Sequence, residues 1–370
     1  MAYGTLNAGA ITPGSGATLT IAETVSLTGD LVPSTALSNR NRLINGDFQV
    51  AQRGTSFVAS ANNDDTYNLD RWYLLSDGND IVDVTQSSTA PTNQLTSIGL
   101  DVETANKKFG VAQIIESNNC VGLIGNNVTF SFKAKVSDTS KLDNVKAAII
   151  SWSSTADAVT SDVVSAWAVE GTNPTLASNL TYENTPADLN LTTSWATYSI
   201  SANIDTSSTT NLVVFIWSDV TDTTAGHFLH ITDCQLEEGS TATPFEHRSY
   251  GDELARSQRY YWRFTNPTND GGYGMGQVFA AGRIYVEIPF PVLMRIAPTA
   301  VETTGTASHY GAWNSTSTNY DLTSIAFVKG SDRAMTLYLQ TNTSDVTGNG
   351  HASRFTAKGT TSYLGFSAEL

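Results

Sequence analysis

Charged side chains are scarce in this sequence, and positive charge is scarcer than negative. Charged residues make up 15% of the 370 residues, with 20 Lys and Arg against 35 Asp and Glu, for a formal net charge of −15. A nucleic-acid partner is excluded on this ground, because phosphate neutralisation needs clustered basic residues and Lys107-Lys108 is the one adjacent basic pair. An acidic surface keeps a protein soluble, and it can also contribute to cation sites.

Long apolar runs are also missing, so we expect no membrane insertion, which needs about 18 or more consecutive apolar residues. The first residues, MAYGTLNAGAITPGSG, lack the basic flank and apolar core of a signal peptide. Cysteine is limited to Cys120 and Cys234. We expect two buried free thiols, and a disulfide would require the fold to bring their Cα atoms within about 7 Å.

Catalytic motifs are absent as well. The sequence contains no G-x-S-x-G, H-E-x-x-H, P-loop or C-x-x-C pattern. A glycoside hydrolase needs two carboxylates roughly 5 to 10 Å apart. Asp64-Asp65, Asp80 with Asp83, and Glu237-Glu238 are available, but nothing distinguishes an acid from a base. We therefore expect no enzymatic activity.

What the sequence has in abundance is Thr, Ser, Asn and Gly around short runs of apolar residues. Val128, Phe130 and Phe132 alternate with Thr129, Ser131 and Lys133, which predicts a half-buried strand. Roughly ten such runs before residue 240 predict an antiparallel two-sheet sandwich. The predicted strands include residues 43–50, 81–84, 98–102, 111–115, 147–152, 163–169, 195–200, 212–217 and 228–236.

Changes in composition and in the pattern of apolar residues divide the chain into four parts. Residues 1–40 are rich in small polar residues and predict an extended arm, because they cannot build a core alone. Residues 41–248 hold the sandwich. Residues 249–264 connect it to the rest through a short helix over Asp252 to Tyr261, with Asp252 as the predicted cap. Residues 265–370 hold a second, smaller β-sandwich, so the predicted fold class is all-β.

Two motifs bracket the sandwich and carry a family resemblance. QLEEGSTATPFEHR, at residues 235–248, closely resembles the QLE-x-G-x-x-ATPFE-x-R motif of a jelly-roll domain in bacteriophage and prophage tail-fibre proteins. NRLINGDFQVAQRGTSF, at residues 41–57, looks like the opening of the same domain, and residues 67–72 strengthen the match. Arg259-Tyr260-Tyr261 resembles the R-Y-Y element that follows, although Ser257 stands where a cysteine is common. The resemblance covers residues 41–300.

The resemblance implies a virion fibre protein, assembled in the host cytoplasm and released by lysis. Residues 1–40 would then attach to the phage tail or to other virion proteins, and the chain would form a homotrimer, as fibres usually do. The β domains would bind a host-surface polysaccharide. Two alternatives stay open: a polysaccharide depolymerase (tailspike) with its active site between subunits, and a purely structural adaptor or decoration protein.

Sugar binding needs aromatic rings that stack on pyranose faces and polar groups that bond the hydroxyls. His309 to Asn314 look like a polar loop, which makes Trp313 the leading candidate. Trp72, Trp195 and Trp217 lie within strand patterns and are expected to fill cores. The predicted glycan-binding residues are Trp313, Tyr310, Asn314, Tyr320 and Trp167.

The one cofactor that the resemblance implies is a structural calcium ion, since jelly-roll sugar-binding modules often hold one between the opening and closing strands. Asn45-Gly46-Asp47 and Thr232-Asp233 look like the matching elements here. Calcium takes oxygen ligands, and Asp47 and Asp233 could supply two of them. A bulge held by side-chain hydrogen bonds is the alternative explanation of the same residues.

Overall fold

The computed structural model describes residues 38–370 except 143, 221, 267, 314–317, 343–345 and 347–349. The predicted arm therefore lies, as far as residue 37, outside the described residues. From Ser38 to Leu370 the chain forms one compact unit. The described part contains no helix long and apolar enough to cross a membrane.

The regular structure of the described chain up to Glu238 consists mainly of short strands. The strands are β1 (Ser56–Phe57), β2 (Thr66–Tyr67), β3 (Tyr73–Ser76), β4 (Val82–Ser87), β5 (Ser97–Val102), β6 (Phe109–Ile115), β7 (Asn127–Val136), β8 (Val145–Trp152), β9 (Val164–Ala166), β10 (Thr175–Leu176), β11 (Leu180–Tyr182), β12 (Ala196–Asn203), β13 (Asn211–Ser218) and β14 (Phe228–Glu238). Two single-turn helices, α1 (Ser117–Cys120) and α2 (Thr139–Leu142), and a 3-10 turn, Ala59–Asn62, lie between them.

These strands form a two-sheet antiparallel sandwich of the jelly-roll kind, which confirms the predicted fold class. The first sheet has the order β1-β4-β5-β14-β7-β12, and the second has the order β11-β8-β13-β6-β3-β2. In the first sheet β14 pairs with both β5 and β7, so the last strand of the sandwich lies at its centre. Strands β9 and β10 form a separate hairpin.

The main core lies between the two sheets and follows the alternation seen in the sequence. Val128, Phe130 and Phe132 of β7 point into it and are at most 1% exposed. The second sheet is buried on both faces, because a second apolar cluster covers its outside with Val159, Val163 and Trp167. Strands buried on both faces read as continuous apolar runs, as β13 does. Cys120 and Cys234 are both free and buried, as predicted.

The opening segment, residues 41–50, is not the strand that its apolar residues predicted. Leu43, Phe48 and Val50 are fully buried, but Asn45 and Phe48 have φ of 57°, which a strand does not allow. The Asn45 side chain replaces the missing ladder: its amide donates to the carbonyls of Val50 and Asp70 at 2.8 and 3.0 Å, and its oxygen accepts from the Val50 amide at 2.8 Å. The result is a side-chain-stabilised turn.

The two motifs that carry the family resemblance hold each other. The Asn41 side chain donates to the Cys234 carbonyl at 3.0 Å and accepts from the Leu236 amide at 3.1 Å. The Glu246 carboxylate accepts from the Asn41 amide at 2.9 Å, and Arg248 donates to the Leu43 carbonyl at 2.9 Å. We call this set the clasp. It joins residues about 200 positions apart and closes the sandwich around the opening segment.

The remaining chain is a helix followed by a second β unit. The helix α3 (Tyr250–Gln258) begins two residues earlier than predicted, because Ser249 rather than Asp252 is its cap: the Ser249 hydroxyl accepts from the Asp252 amide at 3.2 Å. The strands are β15 (Tyr261–Thr265), β16 (Gly272–Ala280), β17 (Arg283–Pro289), β18 (Tyr310–Trp313), β19 (Asn319–Asp321), β20 (Ser324–Gly330), β21 (Ala334–Gln340), β22 (Ala352–Ala357) and β23 (Tyr363–Ser367), with a 3-10 turn at Ala307–His309.

This second unit has its own core. A seven-stranded antiparallel sheet in the order β19-β18-β22-β16-β17-β21-β20 packs with the β15-β23 pair. Its inward residues alternate along β17 and β21, with Ile284, Val286 and Leu337 at most 1% exposed. The outward face of the same sheet carries Phe279 and Tyr285, stacked with centroids 4.2 Å apart and 36% and 42% exposed.

A buried polar junction connects the second unit to the sandwich. The Arg71 guanidinium pairs with Glu369 and lies 3.7 Å from the centroid of the Tyr260 ring. Arg259 pairs with Glu116 at 2.6 Å, and the Tyr260 hydroxyl donates to the same carboxylate at 2.7 Å. Buried charges must be paired to be tolerated, so these residues fix how the last residues of the chain sit against the sandwich.

Candidate functional site

The outer face of the first sheet is polar, because every second residue of its central strands points away from the core. Cross-strand pairing aligns these outward residues in rows, such as Thr197 of β12, Lys133 of β7 and Thr232 of β14. The outward residues along the three strands are Thr129, Ser131, Lys133 and Lys135, then Thr197, Ser199 and Ser201, then His230, Thr232, Gln235 and Glu237.

Two adjoining hollows lie on this face and share Thr92, Lys133 and Thr197 in their walls. Their volumes are about 400 and 370 Å³. We call them together the sheet groove. The loop at residues 91–94 forms one wall, Phe245 and His247 lie at one end, and Trp195 lies at the other. Two adjoining hollows of this size on the face of a sheet can accommodate a few linked sugar rings.

The closing motif builds the Phe245 end of the groove. Glu237 accepts from the Thr243 amide at 2.8 Å and from its hydroxyl at 2.6 Å. The Gln235 side chain donates to Glu237 at 2.9 Å and accepts from the Glu246 amide at 2.8 Å. These bonds fold residues 239–247 back over the sheet and place the Phe245 ring, 5.0 Å from that of His247.

A bulge in β14 places the carboxylate of Asp233 in the middle of the groove. The register between β14 and β7 shifts between Thr232 and Gln235, and Asp233 has φ of 55°. The Asp233 carboxylate is 4% exposed, pairs with the Lys133 ammonium at 2.8 Å and accepts from the Gln94 side chain. Both of its oxygens are therefore engaged within the protein.

At the other end Trp195 lines the groove, and Lys135 of β7 and His230 of β14 lie beside its ring. The Lys135 ammonium lies 5.8 Å from the centroid of the Trp195 ring, and the Trp195 and His230 rings are 6.3 Å apart. Gly99 leaves room for the His230 ring, since a Cβ there would lie 3.2 Å from it. Burial, and secondarily the charge of Lys135, lowers the pKa of His230 to about 4, so its ring is neutral at pH 7.

Comparisons with known proteins gave the following. No protein-family model matches the chain, and no curated protein matches it. Among solved structures, the enzymatically active domain of bacteriophage CBA120 tailspike protein 4 matches 54% of this chain and 21% of that one, at 14% identity and a TM-score of 0.34. TmCBM61 in complex with β-1,4-galactotriose matches 54% of this chain and 100% of that one, at 15% identity and a TM-score of 0.30.

A third similar structure contains the CBM22-1 and GH10 modules of Clostridium thermocellum xylanase 10B with xylohexaose. It matches 55% of this chain and 29% of that one, at 11% identity and a TM-score of 0.34. This chain thus spans about a fifth of the tailspike chain and under a third of the xylanase chain. TM-scores this low do not establish a shared fold, and the jelly-roll assignment rests on the strand order given above.

The predicted glycan-binding residues do not form one surface. Tyr310 is fully buried in the core of the second unit, where its hydroxyl donates to the Tyr363 carbonyl at 2.6 Å. Its prediction as a binding residue is wrong, because the supposed loop is strand β18. Tyr320 pairs with the buried Ala312 and packs against the same core. Trp167 packs against Phe215 under the second sheet, with centroids 6.1 Å apart.

Trp313 remains partly accessible, while Asn314 lies outside the described residues. Trp313 pairs with Asn319, one position from the Ala312–Tyr320 pair, so Trp313 and Tyr320 face opposite sides of the sheet. The Trp313 indole N–H is buried with no hydrogen-bond partner among the described residues. A role for Trp313 in binding stays a prediction.

The carboxylates proposed for calcium do not fit the ion as they lie. Both oxygens of Asp233 are engaged by Lys133 and Gln94, and Asp47 accepts from the Gln49 side chain. Calcium takes six to eight oxygen ligands. The described residues contain no group of three or more His, Cys, Asp or Glu side chains suited to a metal. Burial, offset in part by the Gln49 hydrogen bond, raises the pKa of Asp47.

Sequence reasoning missed Trp195, which we expected to fill the core. The signal was present: Ala196, Tyr198 and Ile200 alternate inward along β12, so Trp195 belongs to the outward set. We assigned Trp195 to the core because large aromatic side chains within strands are usually buried, although its position in the alternation indicated the outward face. Trp72 and Trp217, by contrast, are fully buried as predicted.

A separate cleft of about 460 Å³ at the junction holds the carboxylates of Asp65 and Glu302. Burial, and then the charge of Asp64, raises the pKa of Asp65 to about 6. Glu302 accepts from the Tyr261 hydroxyl at 2.9 Å. A carboxyl with a raised pKa beside a second one is the combination that a glycoside-cleaving enzyme would need. This cleft is therefore where an enzymatic alternative has to be tested.

Proposed function

We propose that this chain is a non-enzymatic polysaccharide-binding protein of a bacteriophage particle, and that its sheet groove holds the polysaccharide. The observation that carries the proposal is the groove itself: an aromatic ring, Trp195, at one end and polar side chains along the floor. Pyranose rings offer apolar faces to such a ring and hydroxyls to such polar groups.

The groove has hydrogen-bonding capacity left for a ligand. The side chains of Asn93 and Thr197 make no hydrogen bond within the described part of the chain, and both line the groove. The Thr197 side chain is exposed beside Lys133. Side chains that bond only to water can exchange this water for a sugar hydroxyl at little cost in free energy. A side chain such as that of Asp233 would first have to break a hydrogen bond within the protein.

The virion role is proposed from the two motifs that resemble phage tail fibres. In that role residues 1–40 attach the chain to the phage tail or to other virion proteins, and the chain acts as a homotrimer. The clasp supports a structural purpose for these motifs, because their residues bond one another at buried positions. A particle-bound location and a host-surface polysaccharide as the target belong to the same proposal.

The groove is tested by replacing its aromatic end. We expect Trp195→Ala to weaken retention on immobilised polysaccharides by at least about tenfold, since an anchoring tryptophan at a binding site contributes more than about 1.4 kcal/mol. The melting temperature should stay within about 2 °C of the wild-type value, because Trp195 lies outside the core. Trp313→Ala, measured in parallel, tests the other tryptophan that the sequence predicted for binding, and under our proposal it loses less retention than Trp195→Ala. Wild-type binding by Trp195→Ala would contradict the assignment of the groove.

A depolymerase is the second candidate function, and the raised pKa of Asp65 favours it. An enzyme would release reducing ends from a polysaccharide and produce a spreading halo on a lawn of host cells. Asp65→Asn should abolish both if that reading is correct. Under our proposal the wild-type chain adsorbs without clearing and releases no sugar. A purely structural adaptor would show no adsorption at all.

A further inference from the structure

Lys135 and Lys329 are the two described lysines without an ion-pair partner, and of these two Lys135 is half-buried whereas Lys329 is exposed. Six described lysines pair with carboxylates, namely Lys107, Lys108, Lys133, Lys141, Lys146 and Lys358. Lys135 lies half-buried on the outer face of the first sheet and has no carboxylate within 4.0 Å among the described residues. The half-buried Lys135 ammonium is therefore a cation that a ligand on this face could pair with.

The surroundings of Lys135 leave its charge uncompensated. His230, its neighbour across the strand pair, is neutral at pH 7. Two carboxylates of β14 on this face are already engaged: Asp233 is paired with Lys133 at 2.8 Å, and Glu237 accepts from Thr243. Asp101 lies on β5, across β14 from Lys135, and pairs in register with Phe228. The Trp195 end of the sheet groove is thus locally positive.

We propose that the sheet groove recognises an acidic polysaccharide, one whose pyranose ring stacks on Trp195 and whose ring carboxylate accepts a hydrogen bond from the Lys135 ammonium. This inference rests on the proposed glycan-binding function. A charge-assisted hydrogen bond is roughly twice as strong as a neutral one. The negative charge elsewhere on the chain acts weakly here, because salt screens exposed charges beyond about 8–10 Å.

The geometry explains why a neutral sugar fits less well. A hydroxyl group at this point would satisfy one donor of the Lys135 ammonium but would leave its charge uncompensated next to an aromatic ring. A carboxylate compensates the charge and keeps the apolar ring face on Trp195. The Lys135 ammonium lies 5.8 Å from the centroid of the Trp195 ring, so one pyranose ring stacked on Trp195 can place a substituent at its edge beside the ammonium.

The test uses polygalacturonate and its methyl ester, which share a backbone and differ in charge. The full chain is run through affinity gels containing either polymer, with alginate, hyaluronan, xylan and dextran as further probes. We expect the wild-type chain to bind polygalacturonate about tenfold more tightly than its ester, or to show the same preference for another carboxylate polymer over the neutral ones. Lys135→Met should lose that preference, binding acidic and neutral polymers alike.

Two matched variants separate charge from structure. Lys135→Arg keeps the cation and should keep the preference. Lys329→Met makes the same change on an exposed strand of the second unit and should behave as the wild type. Binding to neutral polymers alone, or an undiminished acid preference in Lys135→Met, would overturn the inference while the groove keeps its proposed function. Binding to none of the polymers would contradict both.

Discussion

The Arg71–Glu369 pair ties the last residues of the chain to the sandwich, and its removal is expected to destabilise the whole described unit. The side chains of Arg71 and Glu369 are 1% and 6% exposed. The guanidinium also donates to the Ile114 carbonyl and stacks on Tyr260. Burial alone would lower the pKa of Arg71, but the Glu369 carboxylate raises it by a larger amount, so the net shift is upward. The attraction of the Glu369 carboxylate for the guanidinium therefore outweighs the cost of burying the Arg71 charge.

The expected magnitude follows from this burial. Removing one member of a buried pair costs about 3–5 kcal/mol, because the other charge is left uncompensated. Arg53 offsets part of that cost, since its guanidinium stays 3.4 Å from the Glu369 carboxylate. We expect Arg71→Met to lower the free energy of unfolding by about 3 kcal/mol, out of a total on the order of 5–15 kcal/mol.

Urea unfolding followed by tryptophan fluorescence measures this loss as a lower midpoint with an unchanged slope. Glu369→Gln and the double variant complete a cycle, and the double variant should lose about 1–3 kcal/mol less than the sum of the single ones. Arg283→Met, on an exposed strand position, is the control. If Arg71→Met unfolds within about 0.5 kcal/mol of the wild type, the junction does not carry the stability that we assign to it.

Three further outcomes are expected from the same contacts. Gly46→Ala should destabilise the sandwich by about 3 kcal/mol or more in urea unfolding, because the new Cβ would overlap the Cys234 carbonyl; a milder loss would show that the opening segment can move. The folded-state pKa of His230 is lowered to about 4, so its stabilising effect is present above the unfolded pKa of about 6.5 and is lost as pH falls toward 4. The free energy of unfolding of the wild type should therefore fall by up to about 3 kcal/mol between pH 6.5 and 4, and His230→Gln should remove most of this fall. The same pH dependence in His230→Gln would count against a buried neutral ring. Burial, and then the charge of Asp64, raises the pKa of Asp65 from 3.8 to about 6, so its contribution to stability is lost as pH rises from about 4 to about 6. Asp65→Asn should therefore raise stability by up to about 1 kcal/mol at pH 8 and not at pH 4, and the reverse order would contradict the burial argument.

The sandwich could be predicted because the local sequence of each strand shows an apolar pattern typical of a strand. The alternation along β7 and the apolar run of β13 each follow from side-chain burial on one or both faces of a sheet. Residues 41–50 could not be predicted in this way. Their apolar side chains are buried, but the backbone is held by the Asn45 side chain and by β14, which lies almost 190 positions later. The pattern of neighbouring residues in the sequence cannot reveal a contact with a strand so far along the chain.

The candidate site was harder to predict, for two different physical reasons. Tyr310 looked like a loop residue because strand β18 forms only by pairing with β22 and β19, and the polar residues around it mask that pairing. Trp195 was discoverable from the period of β12, but an indole in a strand is usually core. The position of Lys135 beside it depends on the register between β7 and β12, which the sequence leaves open.

Hydrogen–deuterium exchange with and without a bound polysaccharide tests the central claim, that the outer face of the first sheet is the binding surface. The account predicts slower exchange in the presence of the polysaccharide at residues 91–94, 195–199 and 243–247, and no change on the second unit. Protection confined to residues 275–285 or 310–321, or protection centred on the Asp65 cleft, would contradict it.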